Sequence, residues 1–130
     1  MPRHVFIILT AAILYCGGCS RSSPPSPPPS TTLPSGKQIR ITSIARMHFA
    51  SGETALVLNC ETDIAMDDIP DLRKESDEIW TSFQKKVEAS NLTNGVIRMT
   101  HPAENGTATQ SKGYGFVYQK GADGQWRCQP

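Results

Sequence analysis

Between residues 39 and 49 the odd positions, Ile39, Ile41, Ser43, Ala45, Met47 and Phe49, are apolar or small, while Arg40, Thr42, Ile44, Arg46 and His48 lie between them. A period of two sends alternate side chains to opposite faces, so this stretch predicts a strand with one buried face. Ala50-Ser51-Gly52 predicts a turn. TALVLNC, residues 54–60, predicts a second strand apolar enough for the middle of a sheet, and the two form a hairpin. The period then changes. Ile69, Leu72, Ile79, Trp80, Phe83 and Val87 recur at helical spacing, which predicts one amphipathic helix from Ile69 to about Ala89. Asp67, Asp68, Asp71 and Pro70 suit its first turn, where acids meet the positive end of the helix dipole and proline forfeits no hydrogen bond. Asn91 or the Thr93-Asn94-Gly95 turn ends it. Three more strands are expected at 96–100, 113–119 and 125–128, with a polar loop over 102–112. The predicted order is ββαβββ: an α+β domain, a small antiparallel or mixed sheet with one long helix on one face.

Upstream the pattern is different. Residues 5–15 are apolar except for Thr10 and follow the basic Arg3. Eleven helical residues rise about 16 Å, too short for a hydrocarbon core of roughly 30 Å. A charged start, a short apolar run and a small-residue exit describe an export signal, residues 1–18. Gly17 and Gly18 suit the narrow subsite of a signal peptidase, and cleavage after them leaves Cys19 as the new N-terminus. In this the first twenty residues resemble the lipobox segment of bacterial lipoproteins, with Cys16 where that family prefers leucine. The resemblance implies a diacylglyceryl thioether on Cys19, acyl chains such as palmitate, and a bilayer as the first partner. Ser20 stands where an aspartate would retain such a protein in the inner membrane, so the resemblance implies the outer membrane, facing the periplasm. The alternative is ordinary cleavage and a secreted, soluble chain.

Residues 20–36 are Ser, Pro and Thr with almost nothing apolar, so residues 19–36 are expected to be a lipid-bearing cysteine and an unfolded tether. In polyproline form seventeen residues reach roughly 50 Å. The folded unit is then expected to be residues 37–130. From Cys19 onward twelve basic residues balance twelve acidic ones. No basic field exists to hold nucleic acid, and anchoring falls to the lipid.

Beyond the signal, Cys60 and Cys128 remain, and an even pair in an exported domain predicts a disulfide. Glu61, Asp63, Asp67, Asp68 and Asp71 cluster between the second strand and the helix. Their spacing lacks the pattern of a calcium loop, and no metal or cofactor is called for. His48 and His101 would need to converge with a carboxylate to do acid–base or metal chemistry. Tyr114, Phe116 and Tyr118 share one strand face and, with Trp126, form either core or a contact surface. Asn91 and Asn105 open N-x-T sequons, which matter only in a eukaryotic secretory pathway. These residues favour a non-enzymatic binding or scaffold module that meets another envelope protein. The alternatives are a small-ligand carrier with a pocket near Trp80 and Tyr114, and a small hydrolase or metal-dependent enzyme built on His48, His101 and the acids.

Overall fold

In the computed structural model the described residues are 30–102 and 112–130; the signal, Cys19 and Asn105 lie outside them. Six strands, β1 (Ser30–Thr32), β2 (Gln38–His48), β3 (Thr54–Glu61), β4 (Asn94–Thr100), β5 (Gly113–Lys120) and β6 (Trp126–Cys128), form one sheet. Their order in space follows their order in sequence. Every neighbouring pair is antiparallel except β3 and β4, which are parallel. Parallel neighbours need a long crossover, and helix α1 (Ile69–Ala89) supplies it.

The element order is therefore βββαβββ, not ββαβββ. The additional strand, β1, lies in the Ser/Pro/Thr tract expected to be tether. Its composition offers little apolar surface, but its backbone pairs with Gln38–Arg40 at the start of β2. A turn closed by Leu33 N–H to Lys37 O (2.8 Å), with Gly36 at φ 86°, folds it back, and Leu33 enters the core. Main-chain pairing plus one buried leucine order a segment that composition alone assigns to disorder.

The helix follows its expected bounds for local reasons. Asp68 caps its N-terminus, accepting from the Asp71 N–H, and Pro70 sits in the first turn. Asn91 adopts φ 55°, and its N–H closes on Glu88 O, ending the helix. Leu72, Ile79, Trp80, Phe83 and Val87 share one buried cluster with Ile39, Leu58, Cys60, Ile97, Met99, Phe116 and Tyr118 of the sheet. β3 is buried on both faces: Leu58 and Cys60 toward the helix, Ala55 and Val57 with Val96 on the other side. No helix among the described residues is long and apolar enough to cross a membrane.

One irregularity shapes the periphery. The β2–β3 register shifts between Ile41 and Ser43, leaving Thr42 as an extra residue. Thr42 Oγ1 donates to Asn59 O, and Asn59 Nδ2 donates to Ser43 Oγ at 2.8 Å, fixing both sides of the bulge. A bulge reverses the in–out phase of a strand. Ile39 and Ile41 thus lie on the helix side. Beyond the bulge Ile44 takes that side, opposite Leu58, while Ser43, Ala45 and Met47 lie on the other. The uninterrupted alternation expected for residues 39–49 is broken here.

Candidate functional site

Beside the bulge, β2 and α1 diverge. Between them runs a cleft of about 440 Å³ lined chiefly by apolar groups, with Ile41, Ile44 and Leu58 on the sheet and Ile79 and Phe83 on the helix. Thr31 of β1 closes one end, and Lys86 of the last helical turn stands near the other. Arg46 donates to Ser90 O at the helix C-cap (3.3 Å), which puts a guanidinium and an ammonium beside the same end.

Among the described residues the edge above the cleft is open. β1 covers β2 only as far as Arg40, and from Thr42 to His48 the outer edge has no strand partner among the described residues. Which groups are free follows from the hairpin. Phe49 N–H donates to Glu53 O, so Phe49 faces β3. Counting back by twos, Met47, Ala45 and Ser43 face β3 as well. Ile44, Arg46 and His48 direct their N–H and C=O outward. All seven residues from Thr42 to His48 are exposed. Among the described residues Ile44, Met47 and Phe49 are three of the five exposed large hydrophobic residues, gathered on one strand and its turn.

The near end of β2 is locked. Lys37 Nζ lies 2.5 Å from both Asp63 and the buried Glu75. Burial works against the Lys37 ammonium, but hydrogen bonds to Asp63 and Glu75 outweigh it and raise its pKa above the ordinary value. The same ammonium lowers that of Asp63. Ser35 N–H also donates to Glu78, so the turn before β2 is tied to the helix as well.

The residues singled out in the sequence are dispersed. His48 pairs with Thr54 at one end of the sheet, its Nδ1 2.8 Å from the Thr54 hydroxyl. His101 follows Thr100, which is opposite Glu61 at the other end of β3. Seven residues of strand separate those ends, roughly 23 Å, so the histidines do not meet. The acids have local partners: Glu61 with Arg40, Asp63 with Lys37, Asp68 at the helix cap. Among the described residues no three His, Cys, Asp or Glu side chains are grouped to hold a metal ion.

Cys60 and Cys128 are free, which corrects the expected disulfide. β4 and β5 lie between their strands. Three inter-strand steps amount to about 14 Å, against the roughly 7 Å limit for the Cα atoms of a disulfide. Burial, with Glu75 and Glu61 nearby, pushes the Cys60 thiol up to about 12.

The aromatic row is core rather than a contact surface. Phe116 and Tyr118 are buried, Trp126 is half-buried, and only Tyr114 reaches the surface. Trp80 stacks on Tyr118 with centroids 4.2 Å apart and rings 2° from parallel, and Trp126 meets Trp80 edge-on. The Tyr118 hydroxyl donates to Asp77 (2.7 Å) and bonds Ser76 (2.9 Å), while Trp126 Nε1 donates to Glu88. This packing fills the space beside Trp80, but at the Tyr114 end a cleft of about 410 Å³ remains between Ile69, Pro70 and Arg73 of the helix and Tyr114 and Phe116 of the sheet; the cleft described above opens at the opposite, β2 side.

Sequence reasoning missed the cleft because its residues come from four elements, β1, β2, β3 and α1, that only the tertiary fold brings together. The only signal was Pro27-Pro28-Pro29 before β1, three residues with no N–H to offer a ladder. No family model, curated protein or solved structure matches the chain.

Proposed function

We propose that this protein is a lipid-anchored module of a bacterial cell envelope that binds another envelope protein and performs no catalysis. The anchor is a thioether lipid on Cys19, supported by the apolar run, the Gly17-Gly18 exit and the proline-rich stretch that follows. With two or three acyl chains the attachment is stable, and the outer membrane facing the periplasm is the location that Ser20 favours. The observation that carries the binding reading is the open outer edge of β2, exposed from Thr42 to His48 above an apolar cleft. A free edge is a template for pairing with another chain, and exposed apolar residues along it mark a contact.

Two measurements test this. Intact mass of the protein extracted from native membranes is expected to show a chain beginning at Cys19 and carrying acyl mass; an unacylated soluble chain overturns the anchor. A photo-crosslinking side chain at Met47 is expected to capture one discrete envelope protein in intact cells. The same group at Lys85, on the exposed helix surface, serves as the comparison. Absence of capture from both positions overturns the binding reading.

A further inference from the structure

Resting on the binding reading above, we infer that the partner is an extended acidic–apolar segment that adds itself as a strand to the outer edge of β2. Three observations define it. The outward N–H and C=O groups of Ile44, Arg46 and His48 supply a ladder about 13 Å long between the first and last of these residues. The cleft below Ile44 supplies a pocket for a side chain, since a residue opposite Ile44 projects toward the helix between Ile41, Phe83 and Ile79. Arg46 and Lys86 supply positive charge two residues farther along the same face.

The recognition unit follows from the pleat. The residue opposite Ile44 is apolar and enters the cleft. The residue opposite Arg46 carries a carboxylate. The one between them passes to the other face, near Ala45 and Met47, where a small or apolar side chain fits. Backbone pairing gives affinity, and the alternate pockets give specificity. The chain already docks one segment this way: β1 occupies the first part of the edge, with Leu33 as its buried anchor. The partner pairs with β2 beyond Arg40, where the described residues supply no strand. A second copy of this chain is a poorer occupant. β2 carries Arg40, Arg46 and His48 and no acid, so self-pairing sets two basic strands side by side.

The test uses the domain with its N-terminal tract and a displayed library of random octapeptides. Pairing antiparallel as β1 does, selected peptides are expected to share Asp or Glu followed two positions later by an apolar residue. On binding, the amides of Ile44, Arg46 and His48 shift and become protected from exchange, while those of Ala45 and Met47, already bonded to β3, change less. Ile44→Pro and Ile44→Ala both shorten the side chain, but only proline removes the outward N–H. Ile44→Pro is expected to weaken binding about tenfold beyond Ile44→Ala, with β3 pairing kept. Arg46→Glu is expected to abolish the acidic preference. Shifts confined to residues outside 42–48 in the wild-type domain overturn the strand-addition site. So does a concentration-dependent dimer protected at the same amides. Capture from Lys85 but not Met47 in cells has the same meaning and leaves the binding reading standing, whereas capture from neither position removes both.

Discussion

At the scale of single residues, Gly95 is the tightest point of the core. A Cβ built there lies 2.6 Å and 2.8 Å from Trp80 ring carbons, and 3.1 Å from Val87. The ring is clamped between Tyr118, Phe83 and Trp126 and cannot retreat. Gly95→Ala is expected to cost about 2–3 kcal/mol in urea unfolding, as overpacking does. Gly115, on the opposite face, has nothing nearer than 3.7 Å, so Gly115→Ala should change stability by less than about 0.5 kcal/mol.

The Lys37 lock gives a pH dependence with a definite sign. Asp63 is more acidic in the folded protein, so its contribution is present above its unfolded pKa near 3.9 and is lost as pH falls through the folded value. Lys37 is less acidic when folded, so its share is present below about 10.4 and lost as pH rises through its folded value. Stability from this cluster is flat between those limits. Lys37→Met should raise the Asp63 midpoint toward the ordinary carboxylate value in an NMR titration. It should also cost about 2 kcal/mol at pH 7, because the buried Glu75 carboxylate loses its counter-charge; Lys37 remains partly solvated, which keeps the figure below that of a fully buried pair.

At the scale of elements, α1 was legible almost to the residue because local and tertiary signals agree in it. Its stripe, acidic first turn, proline and left-handed Asn91 all act within a few residues of where they are read. Asp68→Ala should cost about 1 kcal/mol, seen as a lower thermal midpoint with unchanged helix content in the surviving folded state. β2 was legible as a strand and misread as a surface. The bulge at Thr42 depends on Asn59 Nδ2 and Asn59 O, sixteen and seventeen residues away from their partners, and no alternation within β2 announces it. β1 was missed for the same reason, since its stabilising bonds lie on β2.

At the scale of the whole molecule, the strand order decides what the cysteines and histidines can do. With β4 and β5 between Cys60 and Cys128, reductant is expected to leave the thermal midpoint unchanged, and a thiol reagent to label both Cys60 and Cys128 after unfolding without reductant. In the native state Cys128, half-buried, should react well before Cys60, which is fully buried with its thiol pushed up to about 12. Equal protection of both, relieved only by reductant, would restore the disulfide.

The amino-acid pattern by itself determined the helix, five of the six strands and the mixed α+β class, because periodicity is a local consequence of which faces must be buried. It also determined the balance of twelve basic and twelve acidic residues from Cys19 onward. Only the tertiary structure decided the parallel pairing of β3 and β4, the six-strand order, and the placing of two histidines at opposite ends of the sheet. It alone decided that Phe116 and Tyr118 are covered while, among the described residues, the far half of β2 has no partner on its outer edge. Those outcomes depend on which distant backbones pair and where a short strand stops, and pairing partners leave no periodic trace in either strand.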